Sequence, residues 1–592
     1  MEQALAQQAA EASPRAEYAR RLEARREEAA ELAARHRALN RGRKLALGLV
    51  VAVIWLAEKE RLPVKVTLAA APAVLLEGLM VWRNRVGKAW RRAAKAADFY
   101  EQRLACVEGR WAGGGRPGTR YLDEEHPCAA DLDLFGRGCL FELLCTARTR
   151  AGEDTLAAWL KAPAGPDVVR ERQAAVAELR GRLDLREEVA LLGADVPDGG
   201  ELAALAEWGQ AAPALTSRPL RAVGLVVTAL VVVGMIASAY GAGPWPFLGG
   251  VALAGAFALW LRAPAGHVLG PVERAGHVLG PWATLLARLG RERFTAPLLC
   301  RLRAALDEGG PAARRAARLG RSLAAVPRST LLLRRGQRAC AVDAWRQRSG
   351  IALGRWLAAV GEFEALCALA AHAYESPDDP FPEVVADGPC FDAEGLGHPL
   401  IPRESCVRND VALAGELRVL VVSGSNMSGK STLLRTVGVN AVLALAGAPV
   451  RARRLRLSPL AVGATLRVQD SLQAGRSRFY AEITRVRRLL DMARAGPLLF
   501  LLDEVFQGTN SGDRRQGAEA VVRRLVEAGA LGLVTTHDLA LTGIAERLAP
   551  RAANVHFEDR FEGGAMTFDY RMRPGVVQST NGLALMRAVG IV

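Results

Sequence analysis

Charge-free apolar runs alternate with arginine-rich helical stretches over the first two-thirds of this chain. Leu45 to Ala57 and Val66 to Trp82 are apolar, the second interrupted by Glu77. Arg41, Arg43 and Lys44 precede the pair, and Arg83, Arg85, Lys88, Arg91 and Arg92 follow it. That bias predicts a membrane hairpin over 43–83 with both ends in the cytoplasm. About 40 highly charged residues come before the first run and no small-residue site follows it, which argues against a cleaved signal peptide. Ala222 to Tyr240 carries no charge and approaches the roughly 20 residues that a spanning helix needs. Gly241 to Pro246 predicts a turn, and Phe247 to Leu261 returns before Arg262 ends it. The segment 222–262 therefore reads as a second transmembrane hairpin, the competing reading being a buried helical hairpin.

The remaining patterns set the organisation. Residues 1–42, rich in Ala, Glu, Arg and Gln, predict one charged helix, either solvated or paired with a protein partner. A linker region covers 84–131, and a helical core begins over 132–221. It resumes over 263–387, where Leu/Ala/Arg spacing predicts long lever helices from 285 to 375, broken at Gly309-Gly310-Pro311. Prolines and acids between 376 and 396 mark a boundary, and the last domain is expected over 388–592.

Chemistry enters in that last domain. Leu417 to Val422 predicts a buried strand and Leu433 to Leu445 a helix. Between them lies Gly424-Ser425-Asn426-Met427-Ser428-Gly429-Lys430-Ser431-Thr432. Strand, Gly-rich turn with Lys-Ser, then helix is the P-loop arrangement, whose backbone N–H groups cradle phosphates at a helix N-terminus. Lys430 is expected to reach the terminal phosphates and Ser431 to ligate Mg²⁺. Phe500-Leu501-Leu502-Asp503-Glu504 is an apolar strand ending in two carboxylates, Asp503 for the Mg²⁺ shell and Glu504 as general base. Leu533 to Asp538 reads as a further strand, ending at His537, placed to sense a γ-phosphate. Three motifs in this order predict an ATP hydrolase using ATP and Mg²⁺. The fold class is mixed: an α-helical lever region with transmembrane hairpins, plus a C-terminal α/β P-loop ATPase domain.

Two segments narrow the class. Gly475-Arg476-Ser477-Arg478-Phe479-Tyr480-Ala481-Glu482 leads into a helix, with Ser477 where a phosphate from a facing subunit would bind. Gly508-Thr509-Asn510-Ser511 follows the carboxylates closely enough to form a loop at a dimer interface. In these motifs the chain resembles the MutS family of mismatch-recognition ATPases, relatives of the ABC ATPases. Arg573-Pro574-Gly575-Val576 and Ser579-Thr580-Asn581-Gly582-Leu583-Ala584 resemble its final segment. Upstream, Leu140 to Gly152, Trp159-Leu160 and Val168 to Leu179 are similar to the family's helical core. Gly397-His398-Pro399-Leu400 and Val407-Arg408-Asn409-Asp410 are similar to its lead-in to the ATPase. The resemblance covers about 132–205 and 285–592. It implies a homodimeric ATPase in which Ser477 of one protomer completes the other's site, with mismatched or branched DNA as partner.

The departures matter as much. The family's adenine-stacking aromatic is replaced near Cys406, and its mismatch-reading domain has no counterpart before the core. Phe99-Tyr100-Glu101 mimics the mismatch probe inside a basic helical pattern. The family's β-rich clamp has no visible counterpart. The net charge of +16 over 592 residues suits nucleic acid or anionic membrane lipid, and Arg451, Arg453, Arg454 and Arg456 are the densest basic run away from the apolar segments. Nine cysteines without CxxC spacing indicate neither zinc nor a disulfide framework. His267 and His277 belong to a short tandem repeat, Ala-Gly-His-Val-Leu-Gly-Pro. The expectation is a multi-pass protein of the cytoplasmic (inner) membrane with its ATPase in the cytoplasm, acting on DNA. The alternative is a membrane-tethered mechanochemical ATPase acting on a protein or lipid partner. An ABC transporter fits less well, because the spans are few and the lever core is MutS-like.

Overall fold

The computed structural model describes residues 13–59, 65–196, 200–212, 215, 217–308, 310–324, 332–466, 478–562 and 565–577. The chain divides into two units, Met1–Gly115 and Arg116–Val592.

In the first unit, α1 (Pro14–Lys59) and α2 (Lys65–Val107) are helices of 46 and 43 residues. Arg15 pairs with Glu108 at 3.0 Å, Tyr18 packs on Tyr100, and His36 stacks on Trp90, so the two run antiparallel. Their charged halves bury Tyr18, Leu22, Ala93, Ala96, Phe99 and Tyr100 between them. Phe99 and Tyr100 are thus core residues of this pair. The other halves leave Leu45, Leu49, Ile54, Trp55, Val74, Leu75 and Trp82 exposed, an apolar patch of the kind that marks a membrane or partner surface. Each helix passes from charged to apolar half without a break, and α2 carries helix through 84–107, where a linker was expected.

The second unit begins with α3 (Leu140–Leu144), α4 (Arg150–Lys161), α5 (Pro166–Arg180), α6 (Leu183–Ala194) and α7 (Glu201–Gln210). Next come α8 (Ser217–Ala237) and α9 (Trp245–Trp260), the predicted second hairpin. A Cβ at Gly234 would meet the Pro246 carbonyl, and one at Gly250 the Val231 backbone. Small residues therefore let these helices approach closely, while Leu225, Val233, Met235, Leu253 and Leu259 face outward. The chain continues through α10 (Arg262–Arg274), α11 (Gly276–Gly290), α12 (Pro297–Asp307), α13 (Ala312–Ala324) and α14 (Leu332–Glu375).

Two described helices are long and apolar enough to cross a membrane, Ala222–Ala242 and Arg338–Glu375. Burial separates them: 17% of the first window is buried within the protein, against 83% of the second. The first presents its apolar surface outward. The second, most of α14, has already buried that surface against α4, α5, α7, α10 and α12. A helix apolar all round is a core helix when neighbours cover it. Trp245–Trp260 and Arg262–Arg274 pass the same test only together, bent by 57°.

Glycines set how closely the neighbours of α14 approach. A Cβ at Gly350 would strike the Gly209 carbonyl, and one at Gly361 the Ala151 carbonyl. Gly336 packs on Leu261 at the end of the second hairpin, and Trp356 on Trp282 further along. The helix thus runs from the apolar hairpin to the boundary of the α/β domain.

That domain holds two sheets. β1 (Glu383–Val384), β2 (Phe391–Leu396), β3 (Asn409–Leu413) and β5 (Arg454–Leu457) form one, in the order β1-β5-β2-β3. The other has the order β10-β9-β4-β8-β7-β6, built from β4 (Val419–Ser423), β6 (Ala461–Thr465), β7 (Leu498–Asp503), β8 (Leu531–Thr536), β9 (Ala552–Glu562) and β10 (Ala565–Pro574). All its pairings are parallel except β9–β10. The unbroken apolar runs of β4 and β7 follow from burial on both faces of a parallel sheet. Helices α15 (Lys430–Ala446), α16 (Arg478–Ala495), α17 (Ser511–Glu527) and α18 (Gly543–Arg547) connect the strands.

One buried carboxylate ties α14 to the helical core. Glu364 accepts from the backbone N–H of Arg148 (3.1 Å) and of Thr149, and from the Thr149 hydroxyl, at the N-terminus of α4. Gly152 and Gly193 leave the space it fills. Burial pushes its carboxyl up from 4.5 to about 7, against the hydrogen bonds that favour the charged form. A raised folded value means that the folded state holds more protons between the two values. Its stabilising contribution is complete below 4.5 and is lost as pH rises through about 7. Wild-type melting temperature should therefore fall relative to that of Glu364→Gln between about pH 5 and 8; parallel profiles would remove Glu364 as the source.

Candidate functional site

Strand register assembles the candidate site. Ser423 of β4 lies opposite Thr536 of β8, and Asp503 of β7 opposite Thr535. The carboxyl ends of three parallel strands therefore end level, where open α/β sheets hold their ligands. From those ends leave the Gly424–Thr432 turn, the Asp503-Glu504 pair and His537.

The turn is shaped for an anion. Gly424 has φ 153°, Met427 φ 71° and Gly429 φ 102°, so its backbone folds back on itself before α15 starts at Lys430. The Ser425 and Ser428 hydroxyl oxygens are buried and find no hydrogen-bond partner among the described residues. Buried polar groups are nearly always paired, and a phosphate group seated on the turn fits both. Lys430 folds over the turn, its Nζ donating to the carbonyls of Gly424 (2.9 Å) and Ser425 (2.7 Å). Burial lowers its pKa, opposed by Glu504, whose Oε1 lies 3.5 Å away.

Three side chains converge on the Glu504 carboxylate: Lys430, His537 through Nδ1 at 3.3 Å, and Gln507 donating through Nε2. Glu504 has φ 47°, a left-handed conformation that costs a non-glycine residue energy and clusters at functional sites. Thr535 steadies the pair, its hydroxyl donating to Asp503 and accepting from the Glu504 N–H at 3.1 Å. Sequence reasoning assigned no role to Thr535 or Gln507. Thr535 stood in a quoted motif, two residues before His537, but its partners belong to another strand.

A cavity of about 700 Å³ opens beside the turn. Asn426, Met427, Lys430, Ser431, Thr432, Asp503 and Glu504 line it together with Val407, Asn409 and Tyr570. The Asn409 side chain donates to the Tyr570 carbonyl at 3.0 Å and accepts from the Met572 N–H at 2.7 Å. It thereby holds the irregularity in β10 at which Tyr570 takes φ 53°. The Tyr570 ring lies beside Gly429, where a Cβ would come within 3.2 Å. Cys406 is not among the lining residues; its thiol contacts the His398 carbonyl at 3.9 Å.

Ser477 lies outside the described residues, as do 579–584. The helix after Ser477 is described, and it binds the site: Glu482 Oε1 accepts from the Phe506 N–H at 2.5 Å, and Phe479 packs edge-on against Phe506. Arg514 of α17 pairs with Asp538 at 2.8 Å, fixing the segment that carries His537. No group of three or more metal-binding side chains occurs among the described residues. The basic run is paired throughout: Arg451 with Asp379, Arg453 with Asp410, Arg454 with Asp392 and Glu394, Arg456 with Glu383.

The turn, the carboxylates and the histidine now stand in one place, and sequence comparison gives their lineage. Residues 420–592 match MutS domain V. The chain is 37% identical over 238 residues to the DNA mismatch repair protein MutS of Natronomonas pharaonis, covering 39% of this chain and 27% of that protein. It is 37% identical over 246 residues to the DNA mismatch repair protein MutS 2 of Halobacterium salinarum, covering 40% of this chain and 27% of that protein. It therefore spans about a quarter of the length of the curated relatives it matches. MutS homology holds for this part of the chain, joined here to helices apolar enough to span a membrane.

Thr535→Val should lower the thermal midpoint of the MutS-like domain, because it leaves the Glu504 N–H without its acceptor and Asp503 without a donor. About 1–3 kcal/mol is expected for such unpaired groups. An unchanged midpoint by scanning calorimetry would show that the hydroxyl bridge contributes nothing.

Proposed function

We propose that the protein is a membrane-anchored, MutS-like ATPase that binds and hydrolyses ATP at a homodimer interface and drives a helical lever attached to its apolar hairpin. The observation that carries the ATPase reading is the one cavity that Lys430, Ser431, Asp503 and Glu504 line together beside a turn whose own Ser425 and Ser428 hydroxyls are buried and unpaired. Residues 424–432 would hold the phosphates through backbone N–H groups and Lys430, with Ser431 and Asp503 holding Mg²⁺. Bound Mg²⁺ supplies charge neutralisation on the transferring phosphoryl group. Glu504 accepts the proton of the attacking water as the bond from the γ-phosphorus to the bridging oxygen breaks, and that oxygen leaves on ADP. His537, against Glu504, orients the carboxylate and meets the γ-phosphate. Tyr570 takes the place of the aromatic missing near Cys406, stacking on the adenine. Ser477 of the facing protomer completes the site.

The lever decides between partners. The hairpin end docks on α14 through Leu261 and Gly336, and the Arg451–Arg456 run is neutralised by ion pairs. Both observations favour a mechanochemical role at the membrane, in which closure of the dimer moves α14 and α14 moves the hairpin. The DNA reading keeps one observation of its own. Arg314, Arg318 and Arg321 lie exposed along one face of α13, a spacing that suits a phosphate backbone, and the matched relatives are named as mismatch repair proteins.

Glu504→Gln should bind ATP, turn it over at a small fraction of the wild-type rate and accumulate as a nucleotide-bound dimer in size-exclusion chromatography. Unchanged turnover would take the base role from Glu504. Subunits carrying Ser477→Ala and Lys430→Ala should each be inactive alone, and full activity of Ser477→Ala would sink the shared site. The partner is tested by ATPase rate in detergent with homoduplex, mismatched and four-way-junction DNA across a salt series. Stimulation by one DNA form, declining steeply with salt, would establish the DNA reading; a rate indifferent to all three would establish the membrane reading.

A further inference from the structure

Three consecutive residues ahead of the helical core enter the α/β domain together. Asp131 is 2% exposed. One of its carboxylate oxygens accepts from the Leu466 N–H at 3.0 Å, at the end of β6, and the other from Arg485 of α16 at 3.1 Å. Leu132 is fully buried between α15 and β7, where its methyl groups and those of Leu501 occupy the space that a Cβ at Gly438 would take. Asp133, at φ 52°, accepts from Arg435 of α15 at 2.8 Å.

The elements touched are those that frame the site. Arg435 lies little more than one turn beyond Lys430 on the same helix. Leu466 is the last described residue before the segment carrying Ser477, and Arg485 lies on the helix that follows it. One short stretch of backbone therefore holds the P-loop helix with one carboxylate and both sides of the Ser477 segment with the other.

The same stretch is fastened to the helical core. The Asp133 carbonyl accepts from the Leu140 N–H at 2.9 Å and that of Leu134 from the Phe141 N–H at 2.9 Å, so it is continuous with α3. A few residues later Thr149 caps α4 and binds Glu364 of α14. A buried carboxylate with two hydrogen-bond partners in close-packed surroundings, as Asp131 is, moves with the groups it holds.

We propose that Asp131-Leu132-Asp133 is the contact through which the nucleotide site and the lever move together, with Asp131 and Asp133 as positioning residues for hydrolysis. Nucleotide bound on the turn that opens α15 shifts that helix relative to α16. Because the two helices are bound by carboxylates two residues apart in one turn, that shift rotates the turn and passes to α3, α4 and Glu364. The inference rests on the ATPase reading above, since without nucleotide binding there is no motion to transmit.

The test uses full-length protein in detergent. Asp131→Asn should lower kcat roughly ten- to a hundredfold by displacing the shared half of the site, with KM for ATP within about twofold, because the P-loop itself is intact. Asp133→Arg should lose activity, and adding Arg435→Asp should restore kcat to within about threefold of wild type by reversing the ion pair. ATP should alter hydrogen exchange over residues 146–152 in wild type and not in Asp131→Asn. If both single variants turn over at the wild-type rate, or the reversed pair melts like wild type yet stays as slow as Asp133→Arg, the transmission role is wrong and the ATPase reading stands. A wild-type protein that binds no fluorescent ATP analogue overturns both.

Discussion

Helix α14 is the constraint on which the second unit depends. At 44 residues it is roughly 65 Å long, and it reaches from the apolar hairpin to the edge of the α/β domain. Such a helix transmits displacement only if it cannot slide among its neighbours. Gly350 against Gly209 supplies that condition by direct backbone-to-backbone contact, and Gly361 adds a close approach to the Ala151 carbonyl and the Thr155 hydroxyl. Glu364 adds a polar lock whose donors come from a helix terminus, where N–H groups need acceptors in any case.

At its far end the same logic continues through charge. Past Glu375 the chain turns, and Asp379 is buried between Arg451 and Arg403. Arg451 follows the P-loop helix, where Asn440 of α15 accepts from its backbone N–H at 2.9 Å. An ion pair buried this deeply is strongly destabilising to break from one side, so the lever's end and the C-terminal end of α15 are fixed to each other. The Asp131–Asp133 turn holds the same helix nearer its N-terminal end. Helix α15 is thus fastened to the rest of the second unit at two points.

The site inherits its geometry from the sheet. Level strand ends deliver Gly424, Glu504 and His537 to one edge, and cross-strand groups such as Thr535 refine their placement. The positive φ of Glu504 and the irregular strand at Tyr570 are local costs, and each is held by named partners: Thr535 for the first, Asn409 for the second. The first unit shows a different economy. Its two helices bury aromatic residues between their charged halves and leave the apolar halves uncovered.

The sequence by itself determined the elements with strong periodicity and the motifs with fixed spacing. A buried parallel strand, a Gly-rich turn and a following helix are local facts, so Gly424–Thr432, Asp503-Glu504 and the α8–α9 hairpin were legible residue by residue. Only the tertiary structure decided what covers a surface and what partners a charge. Arg338–Glu375 and Ala222–Ala242 are both long and apolar enough to cross a membrane, and what separates them most is how far their neighbours cover them. Arg451 to Arg456 read as an open basic run until Asp379, Asp392, Glu394, Asp410 and Glu383 folded onto them. Tyr570, Thr535 and Asp131–Asp133 owe their places to contacts between residues far apart in the chain. Asp131 and Leu132 even straddle the boundary that composition drew between linker and core. Spacing along the chain records how a segment folds on itself, and the partner across the fold is recorded only in the packed structure.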